Sequence, residues 1–145
     1  MKWIYNWFNN YELFDTPLEY KGVEFKTVEN FFQAMKSEEV NAIENWKYIA
    51  SLGPDGAKKA GRKLKLRPDW ENVRLEIMEF ALRHKFAPGT SWHQKLMQTG
   101  ATEIIEWNNW GDRYWGRDTD GNGENHLGKL LMKLREEYRN DNPVV

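Results

Sequence analysis

The sequence predicts a helix-dominated α+β fold with a small β-sheet or hairpin, and three observations lead there. Apolar residues recur at helical spacing in several segments, most clearly Trp70, Val73, Ile77, Met78, Ala81 and Leu82. Alternation of apolar and charged residues around a turn is confined to Leu18–Lys26, with Gly22 at its centre. The 145 residues suit one domain with a real core, and 1–145 is read as a single domain with its core at about 3–139.

The elements follow in chain order. Thr16-Pro17 signals a turn, and Leu18–Lys26 reads as a short hairpin. Thr27 opens a helix whose stripe is Val28, Phe31, Phe32 and Met35. A second helix is expected from Asn41, as N-cap with Glu44 in the capping-box position, to Leu52. Gly53-Pro54 breaks the chain and starts a short helix through Ala57 and Ala60. Pro68-Asp69 introduces the amphipathic helix that ends near Phe86, before Ala87-Pro88-Gly89. A short helix from Trp92 to Met97 closes at Gly100, and Thr102–Trp107 reads as a buried strand. Asn108–Glu124 shows no periodicity, and so long a loop in a compact domain is commonly functional. The last helix starts near Asn125 with Leu127, Leu130, Leu131, Leu134 and Tyr138 on one face, and 140–145 are expected to fray.

Composition narrows the chemistry. Charged residues nearly cancel to a formal net charge of -1, which argues against a broad nucleic-acid-binding face. Without cysteine there is no disulfide scaffold, thiolate metal site or cysteine nucleophile. No stretch has the apolar length to span a bilayer, and the aromatic start lacks a signal-peptide core, so a cytoplasmic location and no membrane partner are expected. Eight tryptophans are many for this length, and their rings serve either a core or a pocket that stacks a planar base.

Four groups of residues carry candidate chemistry. Glu29, Gln33 and Lys36 fall on one line of their helix, about 100° from the centre of its apolar stripe, so they border the core. The segment Glu106–Gly116 places Glu106 at a strand end and Asp112 between Trp110 and Trp115, where desolvation by the rings would suit a general acid. Asp118, Asp120, Asn122 and Gly123 match an EF-hand loop, but Lys129 stands where its bidentate Glu belongs, so calcium is not expected. The same loop would bring N–H groups to a helix start where Asn125 and Gly128 leave room for phosphate and Lys129 adds charge. The basic run Lys58–Arg67 is either solvated surface or a contact for phosphate or nucleic acid, the latter the basis of a third reading as a nucleic-acid-associated protein. His84, His93 and His126 show no metal-ligand spacing, so no metal is expected.

Together these segments resemble the NADAR, or YbiA-like, family. The resemblance rests on Thr27-Val28-Glu29 with Gln33, Ala34 and Lys36; Gly61-Arg62; Pro68-Asp69-Trp70; Met78 with Lys85-Phe86; and Thr99-Gly100 leading to Glu106. It continues through Asp112, Trp115-Gly116 and the run Gly123–Met132 with Arg135. Two departures stand out: the loop before the final helix is short, and Asn108-Asn109-Trp110 replaces the Ser-Pro-type sequence common before the family's Asp.

The resemblance implies an N-glycosidase that hydrolyses a ribosyl C–N bond, with no cofactor. Its substrate would be a small nucleotide-like molecule carrying ribose and phosphate. The family's examples are phosphoribosylated intermediates of riboflavin synthesis and ADP-ribosylated guanine bases, the latter within nucleic acid. Cleavage builds positive charge at C1 of the sugar, and the departing amine needs a proton. By resemblance Glu29 is the electrostatic or general-base carboxylate, with Glu106 or Asp112 as its partner. Lys36 is a candidate nucleophile forming a Schiff base with the opened sugar, provided burial lowers its pKa. Trp110 and Trp115 would stack the base; Gln33, Gly116, Asn125 and Gly128 would line the substrate site; Arg62 and Lys129 would hold phosphate. The alternative function is a non-catalytic module that binds ADP-ribose or NAD.

Overall fold

A computed structural model describes residues 2–3, 9–37 and 42–141. Its elements are β1 (Lys2–Trp3), β2 (Leu13–Tyr20), β3 (Val23–Thr27), α1 (Val28–Ala34) and α2 (Ala42–Ser51), then α3 (Pro54–Gly61), α4 (Trp70–Lys85), α5 (Ser91–Gln98), β4 (Glu103–Ile104) and α6 (His126–Asp141). The expected α+β class is therefore the observed one. The chain divides into two compact units, one of residues 8–85 and one of residues 1–7 with 86–145.

In the 8–85 unit, β2 and β3 form an antiparallel hairpin in which Tyr20 opposes Val23. Lys21 and Gly22 have φ of 48° and 85°, so both turn residues are left-handed, as a two-residue hairpin loop requires. β2 begins at Leu13, through the Thr16-Pro17 pair that the sequence marks as a turn. Pro17 is accommodated because the pairing register slips between Leu13 and Leu18, where its missing N–H is not needed.

The hairpin's inward residues Leu18, Val23 and Phe25 are buried. Phe25 meets Phe31 of α1 edge to face, with ring centroids 5.4 Å apart. α1 also packs against α2, α3 and α4, and all seven of its residues are buried. Pro54 occupies the first turn of α3, as its fixed φ favours. The N-cap expected at Asn41 lies outside the described residues.

In the other unit, β1 pairs in parallel with β4. The strand expected over 102–107 shrinks to two residues, with an isolated bridge from Trp107 to Arg117. α6 buries Leu127, Leu131 and Leu134, and Arg135 passes inward to donate to Thr99 Oγ1 and the Thr102 carbonyl, both at 2.8 Å. The helix continues through Asn140 and Asp141, beyond the point where fraying was expected. Among the described residues no helix is long and apolar enough to cross a membrane.

Candidate active site

The 8–85 unit gathers a carboxylate, an amide, an amine and a phenol around α1. Thr27 caps the helix, its hydroxyl accepting the Asn30 N–H at 3.1 Å and donating to Asn30 Oδ1 at 2.6 Å. The Asn30 amide donates to the carbonyls of Ile49 and Leu52, both at 2.9 Å, tying α1 to the end of α2. With its rotation set in this way, α1 brings Glu29 and Gln33 to one side, 7% and 5% exposed. Gln33 Nε2 donates to Glu29 Oε1 at 2.8 Å, the one-turn pairing that i and i+4 positions allow.

α1 ends at Ala34, so Lys36 follows in a tight turn, its N–H bonded to the Gln33 carbonyl at 3.2 Å. The Lys36 carbonyl accepts from Arg67, which holds this turn against the segment after α3. Its ammonium lies 5.7 Å from the centre of the Phe32 ring and 5.9 Å from that of Trp70. Burial lowers the Lys36 pKa below the ordinary lysine value; Glu29 opposes that shift, while Arg62 and Lys58 add to it.

Tyr11, which sequence reasoning passed over, belongs to the same electrostatic group. Burial raises its pKa, the carboxylates of Glu29 and Asp55 raise it further, and Arg62 opposes them. Its segment is held from two sides: the Asn10 carbonyl accepts the Glu29 N–H at 3.0 Å, and Lys85 donates to the Asn9 carbonyl at 2.9 Å. Arg62 is exposed at the C-terminal end of α3. Tyr11 carries no sequence signal, because its place depends on tertiary folding. Asn30 did have one, since Thr27-x-x-Asn30 has capping spacing. A separate 340 Å³ groove between α2 and α3 is lined by Tyr48, Ile49, Leu52 and Lys63, and not by Glu29, Gln33 or Lys36.

The loop of the other unit is ordered by its own acidic side chains. Asp112 Oδ1 accepts the N–H groups of Tyr114 at 3.1 Å and Trp115 at 2.9 Å. Asn108 exchanges hydrogen bonds with the Asp112 backbone, at 2.7 and 2.9 Å. Asp118 Oδ1 accepts from the backbone of Asp120 and Asn122, and its Oδ2 accepts from Arg113 at 2.7 Å. Burial would raise the Asp118 pKa, but these hydrogen bonds outweigh it and hold the carboxyl below its ordinary value. The EF-hand-like spacing is thus spent on turns, and no group of potential metal ligands occurs among the described residues.

The start of α6 differs from the phosphate cradle that its sequence suggests. Asn125, at φ 54°, accepts the Glu106 N–H at 3.0 Å and donates to the Ile104 carbonyl at 2.9 Å. A side chain at Gly128 would run into that Ile104 carbonyl and the Asn125 amide. The N–H groups of His126 and Leu127 already donate to the carbonyls of Tyr114 and Trp115, both at 3.0 Å. Gly116 is likewise pressed against the Glu106 carbonyl. Lys129 is exposed, Glu106 and Trp115 are half-buried, and Trp110 is 62% exposed beside an open 450 Å³ hollow lined also by Trp107, Asn109 and Thr119.

Comparison with known proteins gives the family and the fold. The model of the NADAR domain matches residues 2–139. N-glycosidase YbiA of Escherichia coli is 34% identical over 127 residues, covering 83% of this chain and 75% of that protein. An N-glycosidase of Nostoc punctiforme is 37% identical over 119 residues, covering 79% and 74% respectively. A riboflavin biosynthesis protein of Vibrio vulnificus is 34% identical over 124 residues; these are 84% of this chain, but the chain spans only 33% of that protein. The NMR structure of E. coli YbiA superposes with a TM-score of 0.80 at 30% identity, covering 97% of this chain and 85% of that one. The chain belongs to the NADAR family.

Proposed function

We propose that the chain is an N-glycosidase that hydrolyses a ribosyl C–N bond in a nucleotide-like substrate, with residues 2–139 acting as one functional domain in the cytoplasm. The observation that carries the reading is the buried Glu29 carboxylate, held by Gln33 and grouped electrostatically with a Lys36 of lowered pKa. The names of the relatives, two N-glycosidases and a riboflavin biosynthesis protein, support the bond type.

In this reading Glu29 stabilises the positive charge that develops at C1 as the bond to the base breaks. The neutral Lys36 amine donates its lone pair to C1 while the base leaves with the bonding electrons and takes up a proton. Ring opening gives a protonated Schiff base. Water then adds to C1, the Lys36 nitrogen departs, and the free sugar is released. Glu106 and Asp112 are the candidates for the second carboxylate; Asp112 already has one oxygen engaged by two N–H groups. Arg62 is the leading phosphate contact, with Lys129 a further one, and Trp110 and Trp115 stack the base. Gly116, Asn125 and Gly128 act by shaping the loop that presents those rings.

The substrate is a phosphoribosylated pyrimidine intermediate of riboflavin synthesis or an ADP-ribosylated guanine base. Incubation with such pyrimidines, ADP-ribosylated DNA and NAD, followed by chromatography, should show free base released from at least one. A rise in melting temperature without release from any of them would replace the enzyme by a binding module. Borohydride should trap a sugar adduct on the wild type and none on Lys36→Ala; an adduct of equal yield on the variant would overturn the covalent route.

A further inference from the structure

We propose that Gln33 is a positioning residue: seated against Gly61, its amide holds the Glu29 carboxylate in one orientation and does not itself bind substrate. The inference rests on the reading that Glu29 carries the chemistry. One end of the amide, Nε2, donates to Glu29 Oε1 at 2.8 Å. The other end, Oε1, is buried and accepts no hydrogen bond among the described residues. What faces it is the bare backbone of α3. A Cβ at Gly61 would fall on Oε1 itself, 2.7 Å from Gln33 Cδ and 3.1 Å from Gln33 Cβ.

The orientation of the amide follows from the same neighbours. Turned over, it would set its oxygen against a carboxylate oxygen, so Nε2 faces Glu29 and Oε1 faces Gly61. A buried carbonyl left without a donor is costly, and an apolar side chain of the same shape would avoid that cost. The donor at the far end of the group accounts for its presence. One Nε2 hydrogen is engaged by Glu29 and Oε1 is shielded by α3, so the contacts the amide makes lie within the protein.

Gly61→Ala leaves Glu29 and Gln33 chemically intact, and its cheapest relief is to swing the Gln33 amide off the carboxylate. The test compares Gly61→Ala, Gln33→Ala and the double variant. With a phosphoribosylated pyrimidine as probe, kcat for base release should fall about tenfold in each single variant and no further in the double, with KM within about twofold.

Carbon-13 titration of the Glu29 carboxyl gives a readout that needs no turnover. Losing a donor to the charged form should raise its pKa by about one unit, equally in all three variants. Tyr11 and Lys36 act on Glu29 directly, with Asp55, Lys58 and Arg62 around them; none changes, so the shift reports the amide. Gln33→Met, which keeps the bulk without the donor, should give the same shift and does not depend on how Gly61→Ala folds. A raised KM with unchanged kcat in Gln33→Ala, additive losses in the double variant, or an unmoved Glu29 titration would each overturn the proposal. If wild type releases no base from any probe, the glycosidase reading fails, and the titration still decides whether Gln33 governs Glu29.

Discussion

Lys85, the last residue of α4, donates its ammonium to the carbonyl of Asn9 although only 1% of the residue is exposed. The next residue, Asn10, accepts the Glu29 N–H, so the buried cation and the candidate catalytic helix grip the same short segment. A charge is costly to bury, and here it fixes the backbone that carries Tyr11. Lys85→Met keeps most of the volume and removes the charged donor. We expect a loss of about 1.5–3 kcal/mol in denaturant unfolding, the usual worth of a hydrogen bond to a charged group. Hydrogen exchange of the Glu29 amide should accelerate more than that of α4.

Lys36 makes stability depend on alkaline pH. Its folded-state pKa lies below the ordinary 10.5, so between the folded value and 10.5 the unfolded chain binds more protons. Stability therefore carries a penalty at neutral pH that is relieved as pH rises through that window. Lys36→Met should exceed the wild type in melting temperature at pH 7, and the gap should close as pH approaches 10.5. The same lowered pKa means that base release should rise with pH with a midpoint below 10.5, which a pH–rate profile will show.

Two glycines should respond to alanine with opposite signs. At Gly128 the new methyl meets the Ile104 carbonyl and the Asn125 amide, which staples Glu106 to the start of α6. Backbone yields little, so Gly128→Ala should cost about 2–4 kcal/mol in thermal or chemical unfolding. At Gly56, inside α3, the methyl would sit 3.5 Å from Leu52 Cβ, an ordinary contact. Gly56→Ala should gain about 0.5–1 kcal/mol from helix propensity.

Trp110 separates binding from folding. Being exposed, it can be replaced by Ala with a change in stability within about 0.5 kcal/mol. If the ring stacks the base, the variant should lose about 1–3 kcal/mol of substrate affinity, read as a raised KM with kcat largely kept. An unchanged KM would remove Trp110 from the site.

Local patterns made much of this legible. The stripe of Val28, Phe31 and Phe32 and the line of Glu29 and Gln33 follow from helical periodicity, and Pro54 and Gly22 mark their helix start and turn. Pro17 misled because a break in the pairing register absorbs it, and register depends on the partner strand. The 102–107 segment reads as a strand and its Ile104 and Ile105 are buried, yet the ladder stops after two residues, where Glu106 donates to Asn125 instead of to a strand. Asn125 and Gly128 promised space that the Ile104 backbone fills, and spacing along a helix says nothing of what packs against it. Tyr11 reaches Glu29 through a carbonyl–N–H bond between Asn10 and Glu29, which has no sequence signature.

α1 has no position turned to solvent. Every substitution in it disturbs the packing of the surrounding helices, so α1 is a poor place to seek new specificity. A directed-evolution library aimed at new ribosyl substrates belongs instead on Asn109 and Trp110, which are exposed and can be varied without repacking a helix; Gly111, at φ 84°, should be kept. If Glu29 carries the chemistry as proposed, α1 holds it in a fully packed helix, whereas Asn109 and Trp110 stand where substitution is cheap.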